Sequence, residues 1–291
     1  MTHIFRVRQI CNPAADCKLG GARRPPWRSA IVSGALILLT ACASAPAVKP
    51  ELITLTVLAA ASLKEAFTEL GTVFETRNSG VTVVFNFAGS QQLAQQLSQG
   101  APADVFASAH HKQMETAIEA GRVISGSAQT FAGNRLVVIF PQDNPAGLVT
   151  LQDLARPGLK IVLADKAVPV GQYSLDFLDL AAQDSAFTPA FKAAVLKNVM
   201  SYEESVRVVL GKVALGEADA GIVYASDISG ENANQVGRLD LPDRLNTLAA
   251  YPIAVIKDSA NPALAQAFVD WVLSPEGQTI LAKHGFIAVK P

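Results

Sequence analysis

The stretch Ile53-Thr-Leu-Thr-Val-Leu-Ala-Ala-Ala-Ser-Leu-Lys-Glu-Ala-Phe-Thr-Glu-Leu-Gly-Thr-Val-Phe74 changes its period halfway along. Residues Ile53 to Leu58 are rich in β-branched and aliphatic side chains, which reads as a strand. From Leu63 onward the apolar residues Leu63, Ala66, Phe67, Leu70, Val73 and Phe74 fall at helical spacing on one face. A strand that runs straight into an amphipathic helix is half of a βαβ unit. Repeated, that unit gives α/β layering around a mainly parallel sheet.

The repetition continues along the chain. Further strand candidates are Val81 to Phe85, Val105 to Ala107, Leu136 to Phe140, Ile161 to Leu163, Gly221 to Tyr224 and Ala250 to Ile256. Helices are expected over Gln91 to Gln99, Lys112 to Ala120, Gln172 to Ala182, Glu203 to Leu215 and Pro262 to Leu273. Ser274-Pro275-Glu276 supplies a cap and an N1 proline for a closing helix that Gly285 ends.

Residues 1–41 differ from the rest. Arg23, Arg24 and Arg28 precede the apolar run Ala30 to Ala41, whose 12 residues fall short of the roughly 20 needed to span a bilayer. This is the pattern of a signal peptide. Leu39-Thr40-Ala41-Cys42 resembles the bacterial lipobox, which would make Cys42 an acylated mature N-terminus; the alternative is an ordinary cysteine beside a plain cleavage site. Residues 42–51 then form the lipidated cysteine and an Ala/Pro-rich tether. Cys11 and Cys17 leave with the signal, so the mature chain can form no internal disulfide.

Removing that segment changes the charge. It holds six Lys/Arg and one Asp, so the 250 remaining residues carry 18 basic and 24 acidic side chains. With no clustered Lys and Arg, nucleic acid is not an expected partner. An anionic ligand would have to be held by local geometry. A chain of this length with 50% hydrophobic content is expected to form two compact lobes.

No catalytic constellation stands out. His110 and His111 are adjacent, diverge by about 100° on a helix and cannot share a metal, so they read as an exposed helix start. His284 sits at a helix end, where a cation suits the dipole. Glu203 and Glu204 read as acids in a first helical turn, and Ser201-Tyr-Glu-Glu204 as a capping box. HExxH, GxSxG, GxxxxGK[ST] and CxxC are all absent. The chain is therefore not expected to be an enzyme.

Small and hydroxyl residues do recur at strand-to-helix junctions: Ser62, Ser90, Val170-Gly171 and, in the first turn of the Glu203 helix, Val206. In open α/β sheets ligands bind beyond the carboxyl ends of the strands, where free helix N–H groups and the dipole favour an anion. Each junction also has a plainer reading, since Ser62 with Glu65 fits S-x-x-E and Ser90 is an acceptable N-cap.

Taken together, Ala59-Ala-Ala-Ser-Leu63, Ala88-Gly-Ser-Gln-Gln-Leu93, Gly100-Ala-Pro-Ala-Asp-Val-Phe106, Val168-Pro-Val-Gly171, Ser205-Val-Arg207 and Gly221-Ile-Val-Tyr-Ala-Ser-Asp227 resemble the periplasmic molybdate-binding protein family of the ABC importers. The resemblance implies a type II periplasmic-binding-protein fold, with lobe 1 at 52–132 plus 250–291 and lobe 2 at 133–249. It implies capture of molybdate or tungstate outside the membrane and delivery to an ABC permease with its ATPase. The implied protein is a monomer without a cofactor, attached to the membrane through the lipid on Cys42. Molybdenum would be held as its oxyanion by the hydroxyls of Ser62, Ser90 and Tyr224 and the backbone N–H groups of Val170 and Val206. The position of Val170 is often alanine in the family, and Gln91 stands where a small hydroxyl residue is common. Arg207 reads as a supporting or ion-paired residue.

None of those five ligands is a carboxylate, so the implied pocket suits a fully deprotonated anion that can only accept hydrogen bonds. Phosphate, which keeps a proton near neutral pH, would want an acceptor. Sulfate would be rejected by size. The rival readings are a binder of sulfate or another small oxyanion, and a lipid-anchored oxyanion sensor.

Overall fold

The structure is a computed structural model and describes residues 52–229 and 234–289. The expected signal peptide, the lipidated Cys42 and the tether lie outside the described residues.

Two sheets organise the chain. The first six-stranded sheet uses β1 (Ile53–Ala60), β2 (Val81–Ala88), β3 (Val105–Ala107) and β4 (Gln129–Asn134), with helices α1 (Lys64–Arg77), α2 (Ser90–Ser98) and α3 (His111–Glu119) between them. The chain then crosses into a five-stranded sheet built from β5 (Leu136–Pro141), β6 (Ile161–Ala164), β7 (Val199–Glu203), β8 (Ala220–Tyr224) and β9 (Val236–Asp240). Its helices are α4 (Pro169–Gln183), α5 (Phe191–Lys197) and α6 (Val206–Ala214). The return strand β10 (Ala249–Val255), helices α7 (Pro262–Leu273) and α8 (Pro275–Lys283) and the short β11 (Ile287–Ala288) rejoin the first sheet. The strand orders are β11-β4-β10-β3-β1-β2 and β7-β6-β8-β5-β9.

Both sheets are mixed, which corrects the expectation of a mainly parallel one. The βαβ units do pair in parallel, β1 with β2 and β3, and β6 with β7 and β8. The strands that carry the crossovers run against them: β10 is antiparallel to β3 and β4, and β5 to β8 and β9. A chain that leaves one sheet and returns through an adjacent strand must reverse direction, and periodicity within a strand carries no sign of that.

Strand β7 overturns a second reading. Ser201, Glu203 and their neighbours do not open a helix; they pair in parallel with β6, and the helix starts at Val206 with Ser205 as its N-cap. Glu203 is instead an ion-pair partner for Lys212, 2.6 Å away. Strands β4, β9 and β11 and helix α5 were also not expected from the pattern of residues.

The first lobe is held by aromatic packing. Phe67 meets Phe131 and Phe268 at ring-centroid distances of 5.6 and 6.1 Å, and Phe74 meets Phe268 at 5.2 Å. Each fully buried ring contributes about 1.5–3 kcal/mol relative to exposure. The Trp271 indole donates to the Leu70 carbonyl at 3.1 Å, tying α7 to α1. Gly71 leaves room for the Phe85 ring, from which a Cβ would lie only 2.6 Å.

Candidate anion-binding site

Six chain turns converge on one cavity. β1 runs into a 3-10 turn at Ala61–Leu63, β2 reaches α2 through Gly89, β7 reaches α6 through Ser205, and β8 ends in a 3-10 turn at Ala225–Ile228. The fifth is α4, entered through Val168 with Pro169 at its first position, and the sixth is the turn between β3 and α3 that holds Ala109. Ser62, Ser90 and Ala109 face the cavity from the first sheet's side, and Val170, Val206 and Tyr224 from the second's. All five residues expected to bind are brought together, each no more than 4% exposed. The free space between these turns is narrow.

The lining is a set of donors. Val206 is the first residue of α6, and Val170 the second of α4, positions whose N–H groups have no carbonyl partner within the helix. The helix dipoles add partial positive charge there. Ser90 Oγ accepts from the Ala109 N–H at 3.0 Å, so its own proton remains available. The Tyr224 hydroxyl is buried and forms no hydrogen bond among the described residues; burial, with Tyr251 and Tyr173 alongside, pushes its pKa well above the phenol value. It stays a protonated donor. A buried hydroxyl without a partner costs roughly 1–3 kcal/mol, and a ligand acceptor in the cavity removes that cost. No carboxylate lines the cavity.

Ser62 does not cap α1. The N-cap is Leu63, with no side-chain bond, and Ser62 Oγ is instead 2.9 Å from the Tyr251 hydroxyl. Glu65, the other half of the expected box, is ion-paired with Arg207. Ser90 is likewise the first residue of α2 and not its cap, which is Gly89. In each case a distant partner outcompetes the local pattern.

The walls of the cleft are joined by polar contacts. Arg207 on α6 bonds Glu65 and the Ala61 carbonyl (3.2 Å) of the opposite lobe, and its Nε lies 3.7 Å from buried Asp227. Gln91 donates to the Glu204 carbonyl at 2.9 Å, and Gln92 to the Glu204 carboxylate at 3.1 Å. Gln113 donates to the Ala167 carbonyl at 3.1 Å. Gly89 allows this approach, since a Cβ there would meet the Glu204 carbonyl at 2.8 Å. The two histidines do start α3 and His111 is exposed, but His110, its N-cap, is half-buried, packs on Tyr173 with 4.9 Å between ring centroids, and accepts the Lys112 N–H on Nδ1. Burial, with His111 nearby, lowers its pKa, consistent with the neutral ring that this acceptance requires.

Sequence reasoning missed Tyr251, Asn134 and Ala109. Tyr251 and Asn134 are fully buried, and Asn134 Nδ2 donates to both the Tyr251 hydroxyl (3.3 Å) and Ser226 Oγ (2.8 Å). A tyrosine inside an apolar strand was the available signal, because a buried phenol usually has a polar partner. Among the described residues neither cavity serine hydrogen-bonds a histidine or other base: Ser62 meets Tyr251 and Ser90 a backbone amide.

Residues 55–287 match the family model described as bacterial extracellular solute-binding protein. The molybdate-binding protein ModA of Mycobacterium tuberculosis is 40% identical over 263 residues, 88% of this chain and 95% of that protein. The molybdate-binding protein ModA of Escherichia coli is 33% identical over 238 residues, covering 80% and 88%. Among solved structures, the periplasmic molybdate-binding protein of Azotobacter vinelandii superposes with a TM-score of 0.69 at 24% identity, over 81% of this chain and all of that one; it shares the two-lobed fold.

Proposed function

Since the chain belongs to the bacterial extracellular solute-binding proteins, we propose that it captures molybdate outside the membrane and delivers it to an ABC-type import permease. The relatives at 40% and 33% identity carry the molybdate-binding name. The observation that supports the reading is the cavity lined by Ser62, Ser90, Val170, Val206 and Tyr224, which can offer hydrogen-bond donors, and by no carboxylate. A tetrahedral dianion offers only acceptors. Each charge-assisted bond to it is worth roughly 1.5–3 kcal/mol, so several together bind tightly without a countercharge. Tungstate, of the same charge and shape, is the second expected ligand. Closure of the two lobes over the anion is the hinge motion by which the permease would tell loaded from empty protein.

The segment Leu39-Thr40-Ala41-Cys42 supports attachment by a lipid on Cys42 after signal removal, with the folded chain working as a monomer at the outer face of the cytoplasmic membrane. Mass spectrometry of the N-terminal peptide tests this, and an unmodified cysteine refutes it. Isothermal titration of the lipid-free chain from Ala43 against molybdate, tungstate, sulfate and phosphate tests the ligand. One-to-one binding of the first two, with sulfate and phosphate much weaker, is expected. A preference for sulfate would keep the fold and overturn the ligand.

A further inference from the structure

Tyr251 lies one bond beyond the cavity. Its hydroxyl lies 3.3 Å from Asn134 Nδ2 and 2.9 Å from Ser62 Oγ. Asn134 can only donate from that nitrogen, and its Oδ1 is occupied by the Arg135 N–H at 2.9 Å, which fixes the orientation of the amide. The Tyr251 oxygen therefore accepts from Asn134. Its single proton can then be given to Ser62 Oγ. With Ser62 as the acceptor, its own proton is directed to its remaining open side, the cavity. All three side chains are at most 3% exposed, so water does not compete for these positions. Burial raises the Tyr251 pKa, and the phenol keeps its proton at any working pH.

We propose that Tyr251, held by Asn134, is a specificity-determining positioning residue: it fixes Ser62 as a donor into the cavity, so the site rejects small oxyanions that carry a proton. A lone serine hydroxyl is both donor and acceptor and would welcome the P–OH of monoprotonated phosphate by turning. The relay removes that freedom, and a protonated anion then meets hydrogen opposite hydrogen. Sulfate, fully deprotonated, passes this filter and has to be excluded by cavity size. The inference rests on the molybdate reading and adds to it how proton-bearing anions are turned away.

The test is a double-mutant cycle on the lipid-free chain, with titrations of molybdate and of inorganic phosphate at pH 6.5. Tyr251→Phe is expected to weaken molybdate at least fivefold and to narrow the molybdate-over-phosphate preference by at least tenfold, because the freed Ser62 can now accept. In a Ser62→Ala background the same substitution is expected to change neither quantity, an outcome that a merely structural role for Tyr251 would not produce. Should Tyr251→Phe fail to fold, Asn134→Ala removes the donor to the Tyr251 oxygen and is expected to shift selectivity the same way. An unchanged preference in Tyr251→Phe, or an equal loss with Ser62 absent, overturns the relay while leaving molybdate capture intact. Failure of the unmutated chain to bind molybdate overturns both.

Discussion

Removing the Tyr224 hydroxyl should separate affinity from stability. In the structure this oxygen is buried and without a hydrogen-bond partner, while its ring packs against Tyr251 and Tyr173 at 5.7 and 6.5 Å between centroids. Tyr224→Phe keeps the ring contacts and deletes only the oxygen. If the hydroxyl donates to the bound anion, its loss forfeits one charge-assisted bond of roughly 1.5–3 kcal/mol, a weakening of about 10- to 150-fold in Kd. The ligand-free protein loses no internal bond. Its stability should be unchanged if water reaches the hydroxyl in the open cleft, and should rise by up to about 1–3 kcal/mol where the hydroxyl is dry. For a chain of this size that is a Tm between unchanged and several degrees higher. Calorimetric titration and thermal unfolding of the same preparation read both quantities. A lower ligand-free Tm together with unaltered affinity would refute the reasoning, since it would mean that the hydroxyl serves the fold and not the ligand.

Two further substitutions probe the frame. Gly171→Ala places a Cβ 2.0 Å from the Asp165 carbonyl oxygen and 2.5 Å from that of Ala164, so the first turn of α4 must shift. A loss of about 1–3 kcal/mol in urea unfolding and a clear fall in molybdate affinity through the adjacent Val170 amide are expected; full retention of both would show that this turn yields freely. Asp227 is pushed up from 3.8 to about 6 by burial, with the Arg207 guanidinium pulling the other way. A carboxyl raised on folding opposes folding once ionised, a penalty absent below about pH 4 and complete above about pH 6. Asp227→Asn removes it, so the variant should gain on the unmutated protein by on the order of 2–3 kcal/mol as pH rises from 4 to 7. A stability difference that is flat across that range would place the carboxyl near its ordinary pKa.

The sequence reveals what is local. The β1–α1 unit, the Pro262–Leu273 helix and the Ser274 cap of α8 follow from period and capping chemistry alone, and Ser62, Ser90, Val170, Val206 and Tyr224 meet at one cavity. What escaped depends on partners far away in the chain. Ser201-Tyr-Glu-Glu204 has the letters of a capping box, but parallel pairing with β6 makes it a strand. Ser62 has the letters of an N-cap, but its bond is to Tyr251, 189 residues on. Arg207 finds Glu65 at a separation of 142. No window of a dozen residues contains such choices, because burial decides them only once both lobes exist.

The place of β10 sets an order on biogenesis. It lies in the middle of its sheet, between β3 and β4, yet it is synthesised after the entire second sheet. Until residue 255 has emerged, the first lobe is two fragments with an open gap, each exposing strand edges. The second sheet, drawn from the single run 136–240, needs nothing that comes later. It is the half able to finish first, while non-local pairing makes the other half slow. If the expected signal peptide threads the chain unfolded through a membrane, export would gain from such a delay, since the part leaving first is the part that cannot yet lock.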